Sequence, residues 1–139
     1  MSTVQKSLRI PKEIIKEIED LAVTSGKDFT AVVNDLLEEA IKTHHCPGIV
    51  FVEGISGKRA RIAGTGIEVW EVVATYKSVG GDLRRLGKAY HWLTSQQLKT
   101  AIGYYGLYKA EIDALIAKNE GWTLEEVRKR YPILVSSKR

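Results

Sequence analysis

Three side chains near the start of the chain have the types and spacing needed to read nucleic-acid bases. Gln5, Ser7 and Arg9 recur at every second residue, which in a strand sets all three on one face and Leu8 and Ile10 on the other. Arg can make paired hydrogen bonds to guanine in the major groove and Gln to adenine, while Ser is a small donor or acceptor. No acid interrupts the first twelve residues, where Lys6, Arg9 and Lys12 lie. A plain dimerisation ribbon with a solvated polar face is the other reading of the same pattern. A second polar set, Lys58, Arg59, Ser95, Gln96 and Lys99, falls in the middle of the chain. A third closes it: Trp122, Arg128, Arg130, Tyr131, Lys138 and Arg139 surround the apolar run Ile133–Val135. That composition suits either a tail that orders on a partner or one that packs on its own core.

Other chemistries fit less well. Gly54 lies too close to Lys58 for a phosphate loop, and no Ser or Thr follows that lysine. His44, His45 and Cys46 are adjacent, whereas metal ligands normally converge from spaced positions, so a linker is expected and no metal or cofactor. Glu17, Glu19, Asp20, Glu38 and Glu39 sit among regular apolar stripes and read as a solvated outer face. No nucleophile and base can be paired, and the chain is not expected to be an enzyme.

The 139 residues are 44% apolar and carry a single Cys, as in an ordinary globular protein without an intrachain disulfide. A reducing compartment, the cytoplasm by default, is expected. No apolar run approaches the roughly 20 residues of a membrane span, and the first residues lack the apolar stretch of a secretory signal. The net charge of +4 is unevenly placed: residues 1–46 sum to −2, residues 47–118 to +4 and residues 119–139 to +2.

The elements that must position these side chains follow from periodicity. Val4–Ile10 alternates as a strand, and Pro11 then opens a helix whose apolar residues Ile14, Ile15, Ile18, Leu21 and Ala22 run to a stop at Gly26. Asp28 can cap a second helix, with Phe29, Val32, Val33, Leu36, Leu37, Ala40 and Ile41 as a stripe wide enough to be largely buried. Seven strand residues cannot form a sheet alone, so the expected partner is the same strand of a second chain.

This strand, proline, helix, glycine turn and helix resemble the ribbon-helix-helix family of DNA-binding proteins over about residues 3–43. The resemblance implies a two-fold dimer whose paired strands enter the major groove with Gln5, Ser7 and Arg9 outward. It also implies a phosphate clamp at the start of the second helix, here Lys27 to Thr30. Asp28 opposes that role in part, because its carboxylate competes for the same amides.

After Pro47-Gly48, Ile49–Val52 and Arg59–Ile62 read as a hairpin with Lys58 and Arg59 at its tip. Val69, Val72, Val73 and Tyr76 define a helix that ends at Gly80-Gly81, and Asp82 caps another with Leu83, Leu86, Ala89 and Tyr90. Thr94 with Gln97 forms a capping box, and Leu93 with Leu98 a staple, ahead of a helix with Ala101, Ile102 and Tyr105. Two helices about three residues apart suggest a helix-turn-helix. The stretch Arg61 to Val72, with Ala101–Tyr105, resembles the antitoxin-associated domain of unknown function 433 over about residues 46–118, which implies a winged-helix-like fold. Cys46 stands where that family commonly has His, and Gly66 where it commonly has Arg. Such a domain can contact DNA through Ser95, Gln96, Lys99 and Thr100, with Lys58 and Arg59 on phosphate, or serve as a structural and docking module.

Trp122 and Thr123, with Glu126 and Val127, start a short helix over Leu124–Tyr131, ended by Pro132. A resemblance to VapB-like antitoxins implies that this region covers a toxin, a PIN-type ribonuclease, with a basic residue such as Arg128, Arg130, Lys138 or Arg139 entering its acidic site. The expected protein is mainly α with short β. It has a ribbon-helix-helix domain at 1–45, a winged-helix-like helical domain at 46–118 and a toxin-binding segment at 119–139. It is a homodimer or higher even oligomer that represses transcription at an operator and neutralises a toxin. The alternative is an interaction module without sequence-specific DNA binding.

Overall fold

The computed structural model describes residues 2–54 and 57–120, and among these it is mainly helical, with six helices and one two-stranded antiparallel sheet. The chain divides into two compact units, Met1–His44 and His45–Arg139.

In the first unit, α1 (Lys12–Ser25) begins after Pro11 and ends at Gly26, whose φ of 72° is the left-handed turn that a glycine adopts without strain; its N–H donates to the Ala22 carbonyl. Helix α2 (Phe29–His45) starts where the Asp28 carboxylate accepts the Ala31 N–H at 2.8 Å, the cap expected there. Two expectations fail in the single chain. Residues 2–11 form neither helix nor strand. A strand ladder needs a second strand, and the two strands among the described residues pair with each other. The stripe on α2 is not largely buried: among the described residues of this unit, Ile18 and Val32 alone are buried, while Leu37 and Ile41 are more than half exposed. Nothing within the unit covers them.

In the second unit, β1 (Ile49–Gly54) pairs with β2 (Gly57–Ile62) in the register Ile49↔Ile62, Phe51↔Ala60 and Val52↔Arg59. Alternation turns Ile49, Ala60 and Ile62 into the core. Helix α3 (Val69–Ser78) buries Val69, Val72 and Val73 completely and is the element on which β2, α4 (Leu83–Ala89), α5 (Ser95–Leu107) and α6 (Lys109–Glu120) pack. The expected caps hold. Asp82 accepts the backbone N–H groups of Arg84 and Arg85, and Thr94 and Gln97 exchange hydrogen bonds of 3.0 and 2.8 Å. Helix α6 was not expected from the sequence; Ile112 and Ile116 lie one turn apart on its buried side.

Polar clasps tie α6 to its neighbours. The buried Tyr104 donates to Glu111 at 2.8 Å, and burial followed by that hydrogen bond pushes its phenol well above the usual range. Asp113 accepts from the Tyr105 hydroxyl at 2.8 Å, from Lys77 at 3.0 Å and from Lys109 at 3.3 Å, joining α3, α5 and α6. Both ammonium groups also lie over the Tyr105 ring, 5.0 and 5.6 Å from its centre. Among the described residues no helix is long and apolar enough to cross a membrane. The helix expected over Leu124–Tyr131 lies outside the described residues.

Candidate nucleic-acid interface

The residues expected to meet DNA fall on both units. In the first, Gln5, Ser7 and Arg9 are all exposed on the segment before α1, beside Val4 and Leu8, which are 78% and 75% exposed. Among the described residues, no backbone hydrogen bond ties Val4–Ile10 to another segment. The segment therefore offers both its polar side chains and its backbone groups outward.

Lys27 and Thr30 flank the start of α2. The Lys27 ammonium lies 2.8 Å from the Asp35 carboxylate, and the Asp28 side chain occupies the Ala31 amide. A phosphate arriving at this helix start meets two carboxylates that already hold the groups it would use.

In the second unit, Ser95, Gln96 and Lys99 occupy the exposed first turns of α5. Gln96 also borders an open groove of about 360 Å3 lined by His45, Cys46, Pro47, Thr100, Gly103 and Leu107. Burial pushes the Cys46 thiol on the groove wall up and away from thiolate. Among the described residues no three His, Cys, Asp or Glu side chains are grouped to hold a metal.

Lys58 is exposed on β2, but Arg59 is not a free tip residue. Its guanidinium donates to Glu68 at 2.9 Å, and about a fifth of its side chain is exposed. Glu68 Oε1 also accepts the Trp70 indole N–H at 2.7 Å, while the Glu68 backbone N–H donates to Glu71 at the start of α3. Glu68, Trp70 and Arg61, which follows Arg59 on the same strand face, were not singled out from the sequence. Arg59 and Arg61 two apart in a strand gave the available signal. The acid that answers Arg59 lies nine residues away across a turn, at a separation no local period marks. Trp122, Arg128, Arg130, Tyr131, Lys138 and Arg139 lie outside the described residues.

Residues 49–105 match the family model described as Protein of unknown function (DUF433). The match spans the hairpin, α3, α4 and most of α5. Neither the curated proteins nor the solved structures contain a significant match to the chain.

Proposed function

We propose that the chain is the antitoxin of a toxin–antitoxin pair, a homodimer that binds operator DNA and represses its own transcription. Two copies of Val4–Ile10 pair as an antiparallel ribbon of the ribbon-helix-helix type, with Gln5, Ser7 and Arg9 facing the major groove. The middle domain, winged-helix-like, organises or extends that contact through Ser95, Gln96 and Lys99. The segment 119–139 holds a toxin ribonuclease in the cytoplasm, and no step requires a cofactor.

The observation that carries this reading is the conjunction at the N-terminus. An acid-free polar row stands exposed beside apolar side chains that the unit leaves uncovered. Pairing with a second copy would satisfy the open backbone and cover Leu8 in one step. In gel shifts on the chain's own promoter, Arg9→Ala is expected to cost about 1–3 kcal/mol of specific affinity and to relax base preference. Equal affinity for promoter and scrambled DNA, unchanged by Arg9→Ala, would overturn the reading.

A second reading, an interaction module that does not read sequence, is favoured by the ion pairs at Lys27 and Arg59, which commit two of the expected phosphate contacts to internal carboxylates. Salt separates the two: groove binding loses affinity steeply between low and moderate salt.

A further inference from the structure

The outer face of the hairpin carries a cation that nothing in the described chain neutralises. Alternation along β2 sends Ala60 and Ile62, each 2% exposed, into the core and puts Arg59 and Arg61 on the opposite face, across from Val52 and Val50. Arg59 is answered by Glu68. Arg61 pairs with that same residue through the backbone, in an isolated antiparallel bridge, yet the carboxylate serves Arg59 and Trp70 instead. Among the described residues, Arg61 is the one partly buried cation with neither a hydrogen bond nor an ion pair. Its Nε is shut away from solvent without an acceptor. Arg59 Nε shares that burial, so what sets Arg61 apart is its Nη groups, which are not shut away and have no carboxylate partner among the described residues.

We propose that this face docks an acidic protein segment, whose carboxylate pairs with the Arg61 guanidinium and whose apolar side chains cover Val50 and Val52. The planar fork of arginine matches a carboxylate in two parallel hydrogen bonds. Val50, 41% exposed directly across from Arg61, supplies an apolar shoulder beside the charge. DNA fits the face poorly. A duplex backbone is held by a run of cations, whereas the neighbouring Arg59 is tied to Glu68, itself a negative group that repels phosphate. The inference is independent of whether the first unit reads DNA.

The test uses the full chain and a labelled, end-capped peptide of alternating valine and glutamate, with its valine–glutamine counterpart as control. Fluorescence anisotropy is expected to show the acidic peptide binding about tenfold or more tightly than the control. Arg61→Gln should erase that preference, while Lys88→Gln, on the exposed side of α4, leaves it intact. In the unmodified chain, the Arg61 Nε–H resonance should move with the acidic peptide and stay in place with the control. This measurement decides the matter even if Arg61→Gln folds badly. Equal binding of both peptides overturns the proposal, as does an Arg61 resonance unmoved at millimolar acidic peptide. So does a resonance that moves with a short DNA duplex but not with the peptide, which would make the ligand a phosphate.

Discussion

In the second unit, α3 sinks Val69, Val72 and Val73 completely, and the hairpin and three further helices close around it. In the first, helices with equally regular stripes leave Ile14, Leu21, Leu37 and Ile41 open to solvent. The same periodicity thus has two outcomes, and what separates them is the number of elements available to cover a face. A 44-residue unit with two helices has too little chain to enclose a core, near the lower limit at which domains fold alone. Among the described residues the second unit encloses a core within one chain, and the first leaves its apolar stripes uncovered.

Four measurements would break or sharpen that contrast. The largest effect is expected from Leu8→Asp, which places a charge where two copies would meet. An unpaired buried charge costs about 3–5 kcal/mol, so the dimer should fall to monomer in sedimentation experiments, with DNA binding lost and the second unit still folded. A monomeric parent protein would end the comparison as drawn. Next is Leu86→Ala, in the core of the second unit, expected to remove about 2–5 kcal/mol in denaturant unfolding without altering the oligomeric state.

A smaller loss, about 1 kcal/mol, is expected for Thr94→Ala, which removes the cap of α5. The least is an acid effect. The Tyr105 hydroxyl, with the ammonium groups of Lys77 and Lys109, holds the Asp113 carboxyl down at about 2. A depressed carboxyl contributes stability above its unfolded value near 4 and loses it as pH falls through the folded value. Between pH 4 and 2 the parent should therefore lose slightly more stability than Asp113→Asn, and parallel acid limbs would show that the clasp contributes nothing.

The same contrast explains what could be read in advance. Gly26, Asp82 and the Thr94–Gln97 pair mark helix ends because caps act over three or four residues, and local sequence displays them. Helix α6 carries no such signal. It begins at Lys109, one residue after the last turn of α5, and the break itself falls at Tyr108, neither a proline nor a glycine. The partners of Arg59 and Lys77 were equally hidden, since Glu68 and Asp113 reach them through folding, the latter from 36 residues away. Of the candidate interface, the polar row Gln5, Ser7 and Arg9 was legible as a pattern. The burial of Arg59 was not, because it depends on a turn that brings Glu68 back beside the strand. The strand over Val4–Ile10 was read from alternation alone, and alternation cannot say whether a neighbour exists.

Trp70 gives this second unit an internal optical reporter. Its indole N–H is tethered to a carboxylate that also grips Arg59 of the hairpin, so any event that pulls hairpin and α3 apart changes the polarity around the ring and shifts its emission colour. With Trp92 and Trp122 replaced by phenylalanine, a single chromophore would follow the opening of that joint in real time.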